Sequence, residues 1–265
     1  MGANRDQRHI ALLALAAVLW SAPATADITP AQYRDVGVSV GTGAAVPREV
    51  IVTGEDGKPQ SLAGLISRAS VLVFADYTCT TLCGPTVDFV AAALEKSGLD
   101  TAPKFQFVVV GLDPNDTSAD AARMKRDLDI GPTIGSVTRF VTADQATVRR
   151  LTTALGYRYA YDAEHDQFVH PEAAYVLRAD GRVSRVLTGL GISAGDVRLA
   201  LVEAGEGRIG TLGDQVRLLC ASFDPLLGAY NLTIWRVLAG SSLATALLLG
   251  GGIALLALSG RRRAA

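Results

Sequence analysis

The order of apolar and polar residues predicts an α/β domain in the middle of the chain. Apolar runs typical of buried strands cover residues 71–74 and 105–110, and shorter strand patterns occur at 49–53, 139–141, 157–161, 173–177 and 183–187. A helical turn is suggested at 61–66, and apolar residues recur at helical spacing over 86–97, 119–128 and 193–203. Thr142 and Gln145 have the spacing of a capping box, which predicts a further helix that ends at Gly156. Strands that alternate with helices, followed by a hairpin and a last helix, indicate a thioredoxin-like α/β fold.

The first 26 residues have the pattern of a secretory signal peptide. Arg5 and Arg8 precede an apolar run at 10–20, and residues 24–26 (Ala-Thr-Ala) have the small-x-small spacing of a cleavage site. The alternative is an uncleaved anchor, although the apolar run is too short to span a bilayer comfortably. Either way the bulk of the chain is predicted to be exported. Residues 27–48 show no sustained period and are predicted to form an extended lead-in arm.

The C-terminal region has the pattern of a membrane span. Residues 237–258 contain no charged side chain and are long enough to cross the hydrocarbon core as a helix. Three arginines follow at 261–263, and the positive-inside rule places the basic tail at 259–265 in the cytoplasm. The predicted topology is an exported domain at 49–205, a juxtamembrane segment at 206–236, one transmembrane helix and a short inner tail.

Composition and charge narrow the functional classes. A formal net charge of -1 over 265 residues, with dispersed basic residues, provides no basic field of the kind that attracts nucleic acid. The apolar fraction of 49% is high for a soluble protein, and the two terminal segments account for it. The chemistry is therefore expected in the exported domain.

Two cysteines four positions apart follow the first buried strand. Cys79 and Cys83 lie ahead of the helix predicted at 86–97, where thioredoxin-type redox motifs sit. In an exported protein such a pair forms a structural disulfide by default, and that alternative stays open. A helix N-terminus favours the thiolate, which is both a nucleophile and a metal ligand.

One histidine is a candidate third ligand. His170 lies between Val169 and Pro171, and the proline favours an extended backbone at the start of the next strand. A histidine merely packed at a strand end is the alternative, while His165 lies in a polar turn and is expected to be solvated. Two thiolates and one imidazole suit copper. Zinc usually takes a fourth ligand, and the only other thiol in the sequence is Cys220. Cys220 is expected to be a buried or interfacial residue rather than that ligand.

Three motifs together resemble the SCO/SenC family. They are Cys79-x-x-x-Cys83 after an apolar strand, Gly-Leu-Asp113-Pro-Asn-Asp116-Thr after the next strand, and Phe168-Val-His170-Pro. The resemblance covers about residues 45–230 and includes Gly156-Tyr-Arg-Tyr-Ala-Tyr161. It extends to Leu219-Cys-Ala-Ser-Phe-Asp224, which resembles the juxtamembrane segment of a bacterial branch anchored at its C-terminus.

The resemblance implies a thioredoxin-fold copper metallochaperone for cytochrome c oxidase assembly. Cys79, Cys83 and His170 would bind Cu(I) or Cu(II), and Asp113 would be a nearby acidic residue. The implied partners are the copper-bearing oxidase subunit, which would receive copper at its binuclear site, and a periplasmic copper donor. The implied location is the bacterial inner membrane, with the domain in the periplasm. Many members have a proline directly after each cysteine, whereas this chain has Thr80 and Gly84 there.

Two further activities use the same cysteines. A membrane-tethered thiol–disulfide oxidoreductase would cycle Cys79 and Cys83 through their disulfide and reduce the copper-binding cysteines of the client, whereas copper loading needs both thiols. A peroxidase, with Cys79 attacking peroxide, is the weaker option. His170 separates the first two, because a reductase could lose it and a copper carrier could not.

Overall fold

The computed structural model describes residues 35–79, 83–99, 104–163, 166–189, 191–206, 209–224, 228–232 and 239–252, with backbone only at 83–84, 219–220, 222 and 231–232. The strands are β1 (Gly37–Val38), β2 (Ile51–Gly54), β3 (Pro59–Ser61), β4 (Ser70–Ala75), β5 (Gln106–Gly111), β6 (Thr138–Thr142), β7 (Tyr157–Arg158), β8 (Ala160–Asp162), β9 (Gln167–Val169), β10 (Ala173–Leu177), β11 (Val183–Thr188), β12 (Ala221–Asp224) and β13 (Ala229–Leu232). The helices are α1 (Leu62–Leu65), α2 (Cys83–Lys96), α3 (Ser118–Asp127), α4 (Pro132–Val137), α5 (Gln145–Leu155), α6 (Ala194–Ala204) and α7 (Leu212–Cys220).

A seven-stranded mixed sheet organises the domain, with the order β11-β10-β4-β5-β6-β2-β3. The central strands β4, β5 and β6 are parallel, whereas β10, β11, β2 and β3 add to them antiparallel. Short antiparallel pairs join β1 to β7, β8 to β9 and β12 to β13. The carboxyl ends of β4 and β5 therefore meet at one edge of the sheet, which is where parallel sheets place their sites.

The core lies on both faces of the sheet. Alternate residues of β4 point in opposite directions, so Val71 and Val73 pack with helices α2 and α6, whereas Leu72 and Phe74 pack with α5. All six residues of β4 are buried, which explains why its sequence is a continuous apolar run rather than an alternating one. The mixed α/β architecture predicted from the sequence is confirmed.

Two local predictions need correction, and one helix was missed. Helix α2 begins at Cys83 rather than Thr86, because Pro85 lies in its first turn, where a missing N–H costs nothing. Helix α5 is capped by Asp144, whose side chain accepts the amide of Thr147 at 2.8 Å, and the predicted cap Thr142 ends β6 instead. Helix α4, with Pro132 at its start, was not predicted.

Helix α7 and the β12–β13 hairpin pack on the same domain through α6. Arg198 of α6 forms two bonds of 2.7 Å to the carboxylate of Asp214 in α7. In β13, the Tyr230 hydroxyl donates to Glu203 at 2.6 Å and the Tyr230 amide donates to Asp196 at 2.8 Å. Polar contacts thus dock elements that lie C-terminal to the predicted domain boundary.

The predicted terminal segments are described only in part. The proposed signal peptide at 1–26 lies outside the described residues, and of the predicted span at 237–258 only 239–252 is described, as exposed helix. Among the residues that the structure describes, no helix has both the length and the apolar character needed to cross a membrane.

Candidate metal site

The site lies at the end of β4, where a carboxylate follows the buried apolar residues of the strand. Asp76 follows β4 directly and is only 1% exposed. Its Oδ1 accepts hydrogen bonds from the backbone amides of Thr78 and Cys79, each at 3.1 Å, and from the Thr78 hydroxyl at 3.1 Å. These bonds hold a tight turn that presents Cys79 at the edge of the sheet.

The second oxygen of Asp76 contacts a different part of the chain. Oδ2 accepts the backbone amide of Phe168 at 3.1 Å, although the two residues are 92 positions apart. Phe168 lies in β9, and His170 follows this strand. One buried carboxylate is therefore bonded both to the segment that carries Cys79 and to the segment that carries His170.

The structure places Cys79 in the turn after β4 and the backbone of Cys83 at the start of α2, rather than ahead of that helix as predicted. Cys79 is half-buried, and its Sγ lies 3.9 Å from Oε1 of Gln167 in β9. Cys83 is the first residue of α2, where the helix N-terminus favours a thiolate. Residues 80–82 and the Cys83 side chain lie outside the described part of the chain, so the joint placement of both sulfurs stays a prediction.

His170 has the properties of a neutral imidazole ligand. Burial lowers the pKa of His170 below its ordinary value, although the Pro171 carbonyl and the charges of Cys79 and Asp76 act in the opposite direction. The ring is therefore neutral at neutral pH, the form that binds metals. Its Nδ1 lies 3.4 Å from the carbonyl oxygen of Pro171. A proton on Nδ1 can bond this oxygen, which leaves the lone pair of Nε2 for a metal.

Aromatic rings pack behind the His170 ring. The Tyr157 ring centroid lies 6.5 Å from that of His170, and the Tyr157 hydroxyl donates to the Pro171 carbonyl at 3.0 Å. Ring pairs extend this cluster, with centroid distances of 4.5 Å for Phe74–Tyr157, 6.5 Å for Tyr157–Tyr159, 5.7 Å for Tyr159–Phe168 and 5.1 Å for Tyr161–Phe168. This packing restricts the orientation of the imidazole.

Asp116 is a second buried carboxylate, bonded to a different group. Its Oδ2 accepts the amide of Tyr77 at 3.0 Å, and its Oδ1 is buried with no hydrogen-bond partner among the described residues. Burial raises the pKa of Asp116 to about 7; the Tyr77 amide lowers it, and the charges of Asp76, Asp113 and Asp120 raise it further. Asp116 thus holds a proton over a pH range in which an exposed aspartate is ionised.

Asp116→Asn is expected to change the pH dependence of stability. Between the ordinary aspartate value of 3.8 and about 7, the folded chain holds a proton that the unfolded chain has lost. Wild-type stability therefore falls as pH rises through this window and levels off above it. The asparagine keeps the oxygen that accepts the Tyr77 amide and carries no charge, so we expect it to stabilise the protein by up to about 4 kcal/mol above pH 7, at about 1.4 kcal/mol for each pH unit of that window.

Denaturant unfolding at about pH 4 and about pH 8 checks this prediction. The stabilisation by Asp116→Asn should be fully present at the higher pH and small at the lower pH, where the carboxyl is protonated in the folded chain and only partly ionised in the unfolded chain. Equal stability of the two proteins at both values would contradict the raised pKa of Asp116.

The structure brings together only part of the predicted site. The segments of Cys79 and His170 meet at Asp76, whereas Asp113 is half-buried and accepts the amide of Asn115 at 2.8 Å within its own turn. Across the described ranges, no three His, Cys, Asp or Glu side chains are grouped so that they could hold a metal. The predicted ligand set includes the Cys83 sulfur, which lies outside those ranges, as do His165 and the Cys220 side chain.

Comparison with solved structures identifies the fold. A protein from Aquifex aeolicus VF5 is 20% identical, with 63% of this chain and 95% of the other covered and a TM-score of 0.56. BsSco, described as a member of the Sco family of cytochrome c oxidase assembly proteins with a disulfide switch, is 19% identical, with 62% and 95% covered and a TM-score of 0.53. Arabidopsis thaliana ScoI, solved with copper bound, is 14% identical, with 62% and 98% covered and a TM-score of 0.51.

The domain therefore has the thioredoxin-like α/β fold of the Sco proteins. The family model of SCO1/SenC matches residues 44–197, more than half of the chain, and the chain belongs to this family. The family resemblance drawn from the cysteine and histidine motifs is thus confirmed. No curated protein sequence matched this chain.

Proposed function

We propose that this chain is a copper-binding assembly factor that binds one copper ion through Cys79, Cys83 and His170. The proposal rests on one observation above all: Asp76 bonds the Cys79 amide and the Phe168 amide, and so holds the two ligand-bearing segments at one edge of the sheet. The copper bound to Arabidopsis ScoI and the oxidase-assembly role given for BsSco support the same function for this family member.

The proposed donor set suits a metal that is carried and then released. Soft thiolates favour Cu(I), and the neutral imidazole of His170 extends binding to Cu(II). Three ligands leave a coordination position at which a client ligand can attack, so copper can pass to the partner by ligand exchange. The partner we propose is the oxidase subunit that holds the binuclear copper site.

The proposal includes a place in the cell. Residues 1–26 would direct export, and residues 237–258 would anchor the domain on the periplasmic side of the inner membrane. A tether raises the effective concentration of the domain near a membrane-embedded client. A chain that stops before Arg236 should therefore bind copper as the full chain does and deliver less of it in cells; equal delivery would count against the tether.

Copper binding by the reduced full chain tests the function directly. We expect one copper per chain and transfer of that copper to the metal-free oxidase subunit, measured by metal analysis after the two proteins are separated. A chain that binds no copper tightly, or that binds it and transfers none, would contradict the carrier function.

A thiol–disulfide oxidoreductase is the second candidate. It is favoured by the partial exposure of Cys79 and by the disulfide switch described for BsSco. The two thiols would give two electrons and two protons to a client disulfide, and Cys79 and Cys83 would end as a disulfide. Reduction of a client disulfide without copper, at a rate that His170→Ala leaves unchanged, would favour this candidate over the carrier.

A further inference from the structure

Asp76 is bonded to both halves of the proposed site, yet no sequence motif identifies it. It makes four hydrogen bonds as acceptor: three through Oδ1 to Thr78 and Cys79, and one through Oδ2 to Phe168. Three of the four donors are backbone amides. The carboxylate thus fixes the backbone at two places in the chain, whereas a bond to one side chain would fix only the rotamer of that side chain.

The geometry points to Asp76 as a positioning residue that sets the separation between Cys79 and His170, an inference that rests on the proposed copper function. The Cys79 amide lies 3.1 Å from Oδ1 of Asp76, and the Phe168 amide lies 3.1 Å from Oδ2 of the same side chain. His170 is two residues beyond Phe168, and the Cys79 sulfur contacts Gln167, the neighbour of Phe168. Because Asp76 is 1% exposed, water does not compete for these bonds.

Asp76 thus forms a bridge between the segment that carries Cys79 and the segment that carries Phe168. This bridge needs two acceptor oxygens on one side chain. An asparagine has the same shape as an aspartate but only one acceptor oxygen. If that oxygen faces Thr78 and Cys79, its NH2 group opposes the N–H of Phe168; in the opposite orientation it opposes the turn. Asp76→Asn therefore breaks one side of the bridge without changing the volume of the side chain.

Asp116 provides a matched control for the same substitution. It is also a buried aspartate at this edge of the sheet, but it accepts a single bond, from the Tyr77 amide, and its other oxygen has no partner in the described part of the chain. Asp116→Asn keeps that bond. Both variants replace one carboxyl oxygen by an NH2 group in a side chain of the same shape, and only Asp76→Asn breaks a bridge.

Amide hydrogen exchange of the metal-free full chain is the first measurement. In Asp76→Asn we expect the amide of Cys79 or that of Phe168 to exchange at least about tenfold faster, since the lost bond opens one side of the bridge. The amides of Val73 and Val109, inside β4 and β5, exchange through global unfolding, so an increase at Cys79 or Phe168 that exceeds any increase at these two amides marks a local opening. Asp116→Asn should leave the Cys79 and Phe168 amides unchanged.

Copper binding is the second measurement. We expect Asp76→Asn to weaken copper binding by about 10- to 100-fold, the range found when residues that orient metal ligands are changed, and to shift the Cu(II)–thiolate absorption band. Asp116→Asn should keep the wild-type affinity and band.

The outcomes separate the two proposals. A wild-type chain that binds no copper would overturn the proposed function, and the exchange rates would still decide whether Asp76 joins the two segments. A wild-type chain that binds copper, beside an Asp76→Asn chain with the same affinity, absorption band and exchange rates, would overturn the role of Asp76 and leave the copper function standing.

Discussion

His170→Ala is expected to lower the copper affinity of the reduced protein by at least about a hundredfold, and Cys79→Ser by a similar factor. Changes to residues that only orient a ligand already cost 10–100-fold, so loss of a ligand should cost more. His170 is half-buried with its ring packed against Tyr157, and Cys79 lies beside Gln167 on the same edge of the sheet. Competition with a chelator of known copper affinity measures the effect.

His165→Ala is the matched control, because His165 is the other histidine beyond the predicted signal peptide. It should leave copper affinity unchanged. If His170→Ala binds copper as tightly as the wild type does, the three-ligand site is wrong, whatever the cysteines do.

Gly156→Ala is expected to destabilise the domain by at least about 3 kcal/mol, the sum of a left-handed backbone strain and an overpacked contact. Gly156 ends α5 with φ of 63°, and an added Cβ would overlap the backbone carbonyl of Ser39. The Ser39 amide also donates to the Gly156 carbonyl at 2.8 Å, so the chain cannot move away without losing that bond. Thermal unfolding should show a melting temperature lower by about 8 °C or more.

Gly43→Ala separates strain from overlap. Gly43 has a similar φ of 77°, but an added Cβ there would meet no atom within 4 Å. This variant should lose only the strain, about 1 kcal/mol. Equal melting temperatures for the two variants would show that the contact between Gly156 and Ser39 contributes nothing.

The central strands could be predicted from sequence because strands buried on both faces consist of consecutive apolar residues. The run at 71–74 is continuous and apolar, the run at 105–110 is nearly so, and they form the parallel strands β4 and β5. The hairpin β12–β13 has no such apolar run. Polar bonds from Tyr230 to residues of α6 hold it in place. Its partners are about 30 positions away, and a local pattern cannot show them.

The candidate ligands could be named from sequence for a similar reason. Cys79, Cys83 and His170 were identifiable as candidates because each lies in a short motif next to a strand or helix. Asp76 and Gln167 were not, because Phe-Ala-Asp-Tyr and Asp-Gln-Phe are ordinary sequences. Their importance comes from long-range contacts. Asp76 bonds Phe168, which is 92 positions away, and Gln167 contacts Cys79, which is 88 positions away. The position of an aspartate directly after a fully buried strand is the signal that could have identified Asp76.

The bridge at Asp76 also bears on what happens when copper leaves. In small zinc domains the metal supplies much of the folding free energy, so the loss of the metal unfolds the chain. Here the amides of Cys79 and of Phe168, two residues before His170, are bonded to the two oxygens of Asp76, a buried carboxylate at the end of β4. Under the proposed carrier function, the metal-free protein would therefore keep its fold after it transfers copper, and each loading step would begin from a folded chain.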